Sequence, residues 1–244
     1  MSKKPTPKNP AGVPYIYYNW GPCLIRIKIS EAFQQKLLKE AFASRKESLA
    51  MNKRLAGIIK EEYAFRNRDV FLPEFLDIFN LYWNAFNQYK RSTEKLKAPK
   101  YLLRSLWCNF QGPNEFNPPH DHDGALSFVI YLQIPDKLKK ENKAYIGKSA
   151  GPGGIQFLYG AGSDRSYISY QSHFPEERDM FIFPASLAHY VAPFRSDCMR
   201  ISVSGNIHDS APINTLPADT KFEPYHPEEE TNYPDLKAAR KKKK

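Results

Sequence analysis

The hydrophobic rhythm of this chain changes twice. Cys23 to Ile29 (CLIRIKI) alternates apolar and basic residues, the period-two pattern of a half-buried strand. Ser30 is a good N-cap for a helix that begins at Glu31. From Glu31 to about Phe65, the residues Phe33, Leu37, Phe42, Leu49, Leu55, Ile59 and Tyr63 recur at helical spacing, which predicts one or two amphipathic helices. Pro73 then stands where a helix starts. Phe75, Ile78, Phe79, Tyr82, Phe86 and Tyr89 form a stripe that predicts a helix buried against a sheet, with an aromatic substrate box as the minor alternative. Charged residues 90 to 100 read as a loop, and Tyr101 to Phe110 as a strand.

Beyond Phe110 the period shortens. The apolar runs Leu126 to Ile134, Gly154 to Tyr159, Tyr167 to Tyr170, Met180 to Phe183, Ala188 to Val191 and Met199 to Val203 are separated by Gly, Pro and polar residues. Short strands with turn punctuation predict a β-sandwich or jelly roll. Helices first and antiparallel strands after make the class α+β, with the helices bracing one sheet. The charged insert Pro135 to Lys143 reads as a solvated turn, or as a contact for a macromolecule. Residues 1–12 form a Pro/Lys tail and 13–210 a single domain, with helical support over about 30–92 and a β-core over about 100–208. The aromatic stretch Val13 to Trp20 is expected to cover a core face, and 211–244 form an extended C-terminal segment with a basic tail.

Composition narrows the partners. No apolar run approaches the roughly 20 residues that span a bilayer, so no membrane partner is expected. The basic N-terminus has no apolar run behind it, unlike a secretory signal. Three widely spaced cysteines point to a reducing compartment, hence a cytoplasmic location. The formal charge of +10 sits in the tails: Lys3, Lys4, Lys8, Lys237, Arg240 and Lys241 to Lys244 supply nine charges. Without them 27 basic residues face 26 acidic ones, so nucleic acid is a weak expectation that rests on the tails alone.

The densest chemistry lies in Asn117-Pro-Pro-His-Asp-His-Asp-Gly124. In an extended segment His120 and His122 point to one side and Asp121 and Asp123 to the other. Pro118 and Pro119 favour that extended form. One short stretch thus offers two ligands to a metal that does oxygen chemistry, which needs a few protein ligands and open positions. His189, where a turn with Pro184 hands over to a strand, is the candidate third ligand. Arg200, Ser202 and Ser204 share one face of an otherwise apolar strand. A buried arginine needs an anion, and an Arg with a nearby hydroxyl suits a carboxylate. The plainer readings are a surface turn around His120 and His122, an Asp-Gly hairpin, and an Arg200 paired with a core carboxylate such as Asp179. Asn206 is a further candidate for the pocket wall; His173, His208 and His226 are given no role.

The ordered motifs H-x-H, YL, GG-I, P-x-x-L-x-H-x-V and R-x-S, over about residues 100–208, resemble the Fe(II)/2-oxoglutarate-dependent dioxygenases. The likeness is greatest to the H-x-H branch common in marine bacteriophages, which would place a viral protein in the host cytoplasm. The resemblance implies a double-stranded β-helix, a jelly-roll or cupin-like core with supporting N-terminal helices. It implies His120 and His189 as iron ligands, and Arg200, Ser202 and Tyr131 around the far carboxylate of 2-oxoglutarate. Gly153-Gly154-Ile155 would line the cosubstrate pocket. Most of the family has H-x-D, whereas here the third motif position is His122. Either three neutral imidazoles hold the iron, or Asp121 or Asp123 turns in. The implied reaction uses Fe(II), 2-oxoglutarate and dioxygen to hydroxylate an organic or peptide substrate, with a prolyl side chain as first guess. Two alternatives stand beside it: a three-histidine, cupin-type metalloenzyme without 2-oxoglutarate, and a non-enzymatic jelly-roll binding module.

Overall fold

Side chains alternate so regularly along the strands that each face of the larger sheet acquires its own chemistry. The computed structural model describes residues 21–52, 55–90, 99–160 and 170–209, all within one of the two units into which the chain divides, Met1–Ser210. The strands are β1 (Ile25–Lys28), β2 (Glu62–Ala64), β3 (Tyr101–Gln111), β4 (Asn117–His120), β5 (Leu126–Gln133), β6 (Ile155–Leu158), β7 (Tyr170–His173), β8 (Asp179–Pro184), β9 (His189–Val191) and β10 (Arg200–Asp209). The helices are α1 (Glu31–Glu47), α2 (Leu72–Lys90) and α3 (Asp136–Lys143). One sheet has the order β1-β8-β5-β10-β3-β2 and the other β4-β9-β6-β7. Neighbours pair antiparallel throughout. From β3 onward the chain passes back and forth between the two sheets.

On the helix-facing side of the six-stranded sheet, Leu106, Cys108 and Phe110 of β3, Phe128 and Ile130 of β5, and Ile201 and Val203 of β10 join one buried cluster with Phe33 and Leu37 of α1 and Phe75 and Phe79 of α2. Phe75 meets Phe128 at a ring distance of 4.8 Å. Burial of one such side chain contributes about 1.5–3 kcal/mol. The opposite residues, Val129 and Tyr131 of β5 and Phe181 and Phe183 of β8, pack on Ile155 and Phe157 of β6 and Val191 of β9. The two sheets therefore enclose a second core, and this one holds the polar residues of interest.

The helices differ from the sequence expectation at three places. α1 begins at its Ser30 cap, whose Oγ accepts the Phe33 N–H at 3.2 Å, and it stops at Glu47. Ser48 is left-handed there (φ 56°), which ends the helix. The stretch read as helix up to Phe65 instead contains β2, where the cross-strand bonds to β3 outweigh helical spacing. Phe42 is about half exposed, its ring against Phe110, while Ala41 is the buried residue. The insert at 136–143 is the helix α3 rather than a turn: Leu138 is fully buried, and Glu141 accepts the backbone N–H groups of Arg195 and Ser196. α2 follows the expected stripe, with Phe75, Phe79 and Tyr82 buried.

The three cysteines are free. No helix among the described residues is long and apolar enough to cross a membrane. The expected tail 1–12, the aromatic stretch 13–20, most of the charged loop 90–100, residues 161–169 and everything from 210 onward lie outside the described residues. Tyr170 belongs to β7, which runs on to His173.

Candidate metal centre

Pro118 and Pro119 hold Asn117–His120 extended as β4. β4 pairs with β9 so that His120 stands directly opposite His189. Beyond the strand, the His122 N–H donates to Ala185 O at 2.9 Å, which fixes the chain as it turns toward Gly124. The three imidazoles meet, with ring centroids 4.4 Å (His120–His189), 4.9 Å (His120–His122) and 5.2 Å (His122–His189) apart. One ring nitrogen from each lies within 4.8 Å of the others. Among the described residues no other group of three metal-competent side chains converges in this way.

The tautomers follow from the neighbours. His120 Nδ1 lies 2.7 Å from Pro118 O, and His189 Nδ1 lies 3.0 Å from Leu187 O. A carbonyl only accepts, so each Nδ1 donates its proton and each Nε2 keeps a lone pair for a metal. Backbone carbonyls do this orienting. Asp121 and Asp123, considered as ligands or orienting groups from the sequence, are exposed and lie outside the cluster. Burial lowers the pKa of His122 to about 4 and that of His189 to about 3, with His120 adding to both shifts. Both rings are therefore neutral at ordinary pH, the form that ligates metal.

The second cluster lies on the inner face of β10. Arg200 is 2 % exposed, and among the described residues no carboxylate pairs with it. Asp179, its candidate partner from sequence, is engaged by Arg26 at 2.5 Å and Lys28 at 3.1 Å instead. Arg200 Nη1 donates to Gly153 O at 2.6 Å, its Nε has no partner among the described residues, and its guanidinium lies 5.2 Å from the centre of the Tyr131 ring. Gly153 can turn its carbonyl this way because it takes φ +70°, and a Cβ there would come within 2.9 Å of Leu138 in α3. Tyr131 is fully buried and its hydroxyl is also unpartnered among the described residues. Burial raises its pKa to about 12 against the pull of Arg200, so it keeps its proton as a donor. Ser202 is buried and accepts weakly from Asn109 Nδ2 at 3.4 Å. A bulge in the β5–β10 ladder between Ile201 and Ser202 sets Ser202 opposite Tyr131.

Both clusters line one cavity of about 40 Å³ between the sheets. Asn206 is not on its wall and instead accepts from Ser127 Oγ at 2.8 Å. Three further residues on the wall escaped the sequence reading: Glu62, Asn109 and Trp107, whose ring meets His122 at 6.0 Å. Trp107 and Asn109 follow from the alternation of β3 once the helix-facing residues are known. Glu62 could not be read, because β2 sits in a stretch with helical spacing. It is fully buried, both its oxygens are unpaired among the described residues, and burial followed by repulsion from Glu115 raises its pKa to about 7.

That shift sets a stability prediction. A carboxyl whose folded pKa lies above its unfolded value supports the fold fully below about pH 4.5 and loses that support as the pH rises through about 7. Glu62→Gln, which carries no charge to bury, should match the wild type near pH 4.5. At pH 8 it should exceed it by on the order of 3 kcal/mol. Urea unfolding of the metal-free proteins at both pH values checks this, and equal stabilities at pH 8 would show that Glu62 has a partner.

The model of a family described as "Putative 2OG-Fe(II) oxygenase" matches residues 105–206, a span that holds all three histidines, Tyr131, Arg200 and Ser202. No curated protein matches the chain. Among solved structures it is similar to a prolyl-4-hydroxylase from Pseudomonas putida, at 14% identity over 77% of this chain and 93% of that one, with a TM-score of 0.48. It is also similar to a prolyl hydroxylase from Trichoplax adhaerens in complex with a hypoxia inducible factor oxygen degradation domain peptide fragment, at 12% identity over 78% and 84% of the two chains and a TM-score of 0.47. A third likeness is to SnoN, a non-heme alpha ketoglutarate dependent epimerase from nogalamycin biosynthesis, at 11% identity over 83% and 86% and a TM-score of 0.46. Residues 105–206, somewhat less than half of the chain, are thus similar to the 2OG-Fe(II) oxygenase family, whose description names Fe(II) and 2-oxoglutarate.

Proposed function

We propose that the protein is an Fe(II)- and 2-oxoglutarate-dependent oxygenase that hydroxylates a C–H bond of an organic or peptide substrate. In this reading His120, His122 and His189 hold the iron, and Arg200, Ser202 and Tyr131 hold the far carboxylate of 2-oxoglutarate. One observation carries it: three converging imidazoles share a single cavity with a buried arginine that has no counter-ion among the described residues. Each cluster alone has a plainer explanation. Together they match a metal and a dicarboxylate.

The residues fit both groups. The Nε2 lone pairs of His120 and His189 and a ring nitrogen of His122 would supply three ligands, and a metal held by three protein ligands would keep the open positions that oxygen chemistry requires. Among the described residues, Arg200 Nε and the Tyr131 hydroxyl are buried donors without acceptors, an expensive arrangement unless an anion completes it. Iron with 2-oxoglutarate and dioxygen supplies an oxidant strong enough to break a C–H bond. The chain contributes placement: Pro118 O and Leu187 O fix the rings, Gly153 O aims the guanidinium, and Phe157, Phe183 and Val191 exclude water. The passage of β3 to β10 between the two sheets supports reading the core as a double-stranded β-helix, with α1 and α2 bracing its outer face.

Incubation with Fe(II), 2-oxoglutarate and air should release succinate slowly even without substrate, and a chelator should stop it. A three-histidine enzyme without 2-oxoglutarate, the reading that the all-histidine donor set favours, predicts no succinate. A binding module predicts neither succinate nor any effect of removing the metal.

A further inference from the structure

The unpaired polar atoms around the cavity sort by sign. Tyr131 Oη and Arg200 Nε are donors, whereas Glu62 Oε1 and Oε2, Asn109 Oδ1 and Asn117 Oδ1 are acceptors. The sheet register explains the separation. Glu62, Asn109, Ser202 and Tyr131 stand opposite one another across β2, β3, β10 and β5. Glu62 is thus three strand spacings from Tyr131, about 14 Å at the backbone. Asn109 is its immediate neighbour. Trp107, the residue in contact with His122, is two positions along the same face of β3. Glu62, at the acceptor end, therefore lies on the side of the cavity where Trp107 meets His122, two strands from Ser202 and three from Tyr131.

We propose that Glu62 is a substrate-recognition residue, and that with Asn109 it takes a positively charged nitrogen of the substrate, an ammonium or guanidinium. This rests on the oxygenase reading for the identity of the bound group as substrate. The physical case is one of unmet need. Glu62 is fully buried with neither oxygen bonded, and among the described residues no Lys or Arg pairs with it. A buried carboxyl in that state loses its charge or gains a cation. The amide oxygen of Asn109 beside it is a further acceptor without a donor among the described residues, so this end of the cavity asks for more than one N–H group at once. A neutral amide would meet part of that demand, and an ammonium or guanidinium meets all of it. A prolyl ring offers none of these donors, so Glu62 speaks against the prolyl side chain that sequence alone suggests.

The test uses the protein loaded with Fe(II) and 2-oxoglutarate without oxygen, and four probes: the Nα-acetyl amides of arginine, lysine, citrulline and norleucine. Binding is measured by calorimetry for the wild type and for Glu62→Gln, whose folding is checked by its melting transition. At least one basic probe should bind about tenfold or more tightly than its neutral counterpart, and Glu62→Gln should remove that preference. Equal binding of basic and neutral probes, no binding of either basic probe, or an unchanged preference in Glu62→Gln would each overturn the proposal. The wild-type comparison needs no variant, so a poorly folded Glu62→Gln would leave the test intact. The visible band of iron-bound 2-oxoglutarate, recorded on the same samples, separates the two readings. A band without cation preference removes this proposal alone. Cation preference without a band upholds the Glu62 site and removes the oxygenase reading.

Discussion

His189→Ala should lose Fe(II) affinity by about two orders of magnitude or more, and with it all turnover of 2-oxoglutarate. Spread over its ligands, the binding energy of a protein metal site gives each one several kcal/mol. His189 is also the most buried of the three rings, pinned by Leu187 O and packed on Phe183 at 4.8 Å, so no neighbour can swing in to replace it. His120→Ala and His122→Ala should behave alike. Asp121→Ala and Asp123→Ala should keep their iron affinity within a few fold, because both carboxylates face solvent. Fe(II) titration of the five variants, with circular dichroism to verify folding, decides between three imidazoles and two imidazoles with a carboxylate. A full complement of tightly held iron in His189→Ala would falsify the ligand set.

Arg200→Met should weaken 2-oxoglutarate binding by about a hundredfold or more. Removing one partner of a buried charge pair typically costs about 3–5 kcal/mol. The same substitution should leave the protein without 2-oxoglutarate as stable as the wild type or more so, since it deletes a buried charge whose one hydrogen bond among the described residues goes to Gly153 O. The opposite signs matter. A merely structural arginine would lose stability when replaced and leave keto acid binding unchanged. Calorimetric binding of 2-oxoglutarate beside thermal melts of both proteins supplies the comparison.

Much of this site was legible in the sequence because strands write their faces in period two. Arg200, Ser202 and Ser204 alternate with Ile201 and Val203, and those hydrophobic residues do pack on the helices while the polar ones face the cavity. The same rule set His120 and His122 on one side. What alternation could not supply was pairing. Nothing in the sequence tells that His120 lies opposite His189, or that Asp179 is engaged by Arg26 and Lys28. β2 is the harder case. Leu49, Leu55, Ile59 and Tyr63 keep a helical interval by chance, and only the hydrogen bonds to β3 make Glu62–Ala64 a strand. Glu62 was hidden with it. α3 was hidden differently: it has a single buried apolar residue, Leu138, too little to produce a stripe. Yet that leucine packs beside Gly153 and so bears on where Arg200 points.

The most direct measurement is an anaerobic titration of the Fe(II)-loaded protein with 2-oxoglutarate, monitored through the weak visible charge-transfer band of a keto acid chelating iron. The account predicts that the band grows to one equivalent in the wild type, shifts to far higher concentration in Arg200→Met, and is absent in His189→Ala. Iron bound at His120, His122 and His189 with no band at any concentration of 2-oxoglutarate would contradict it, and would make this a three-histidine site of a different chemistry.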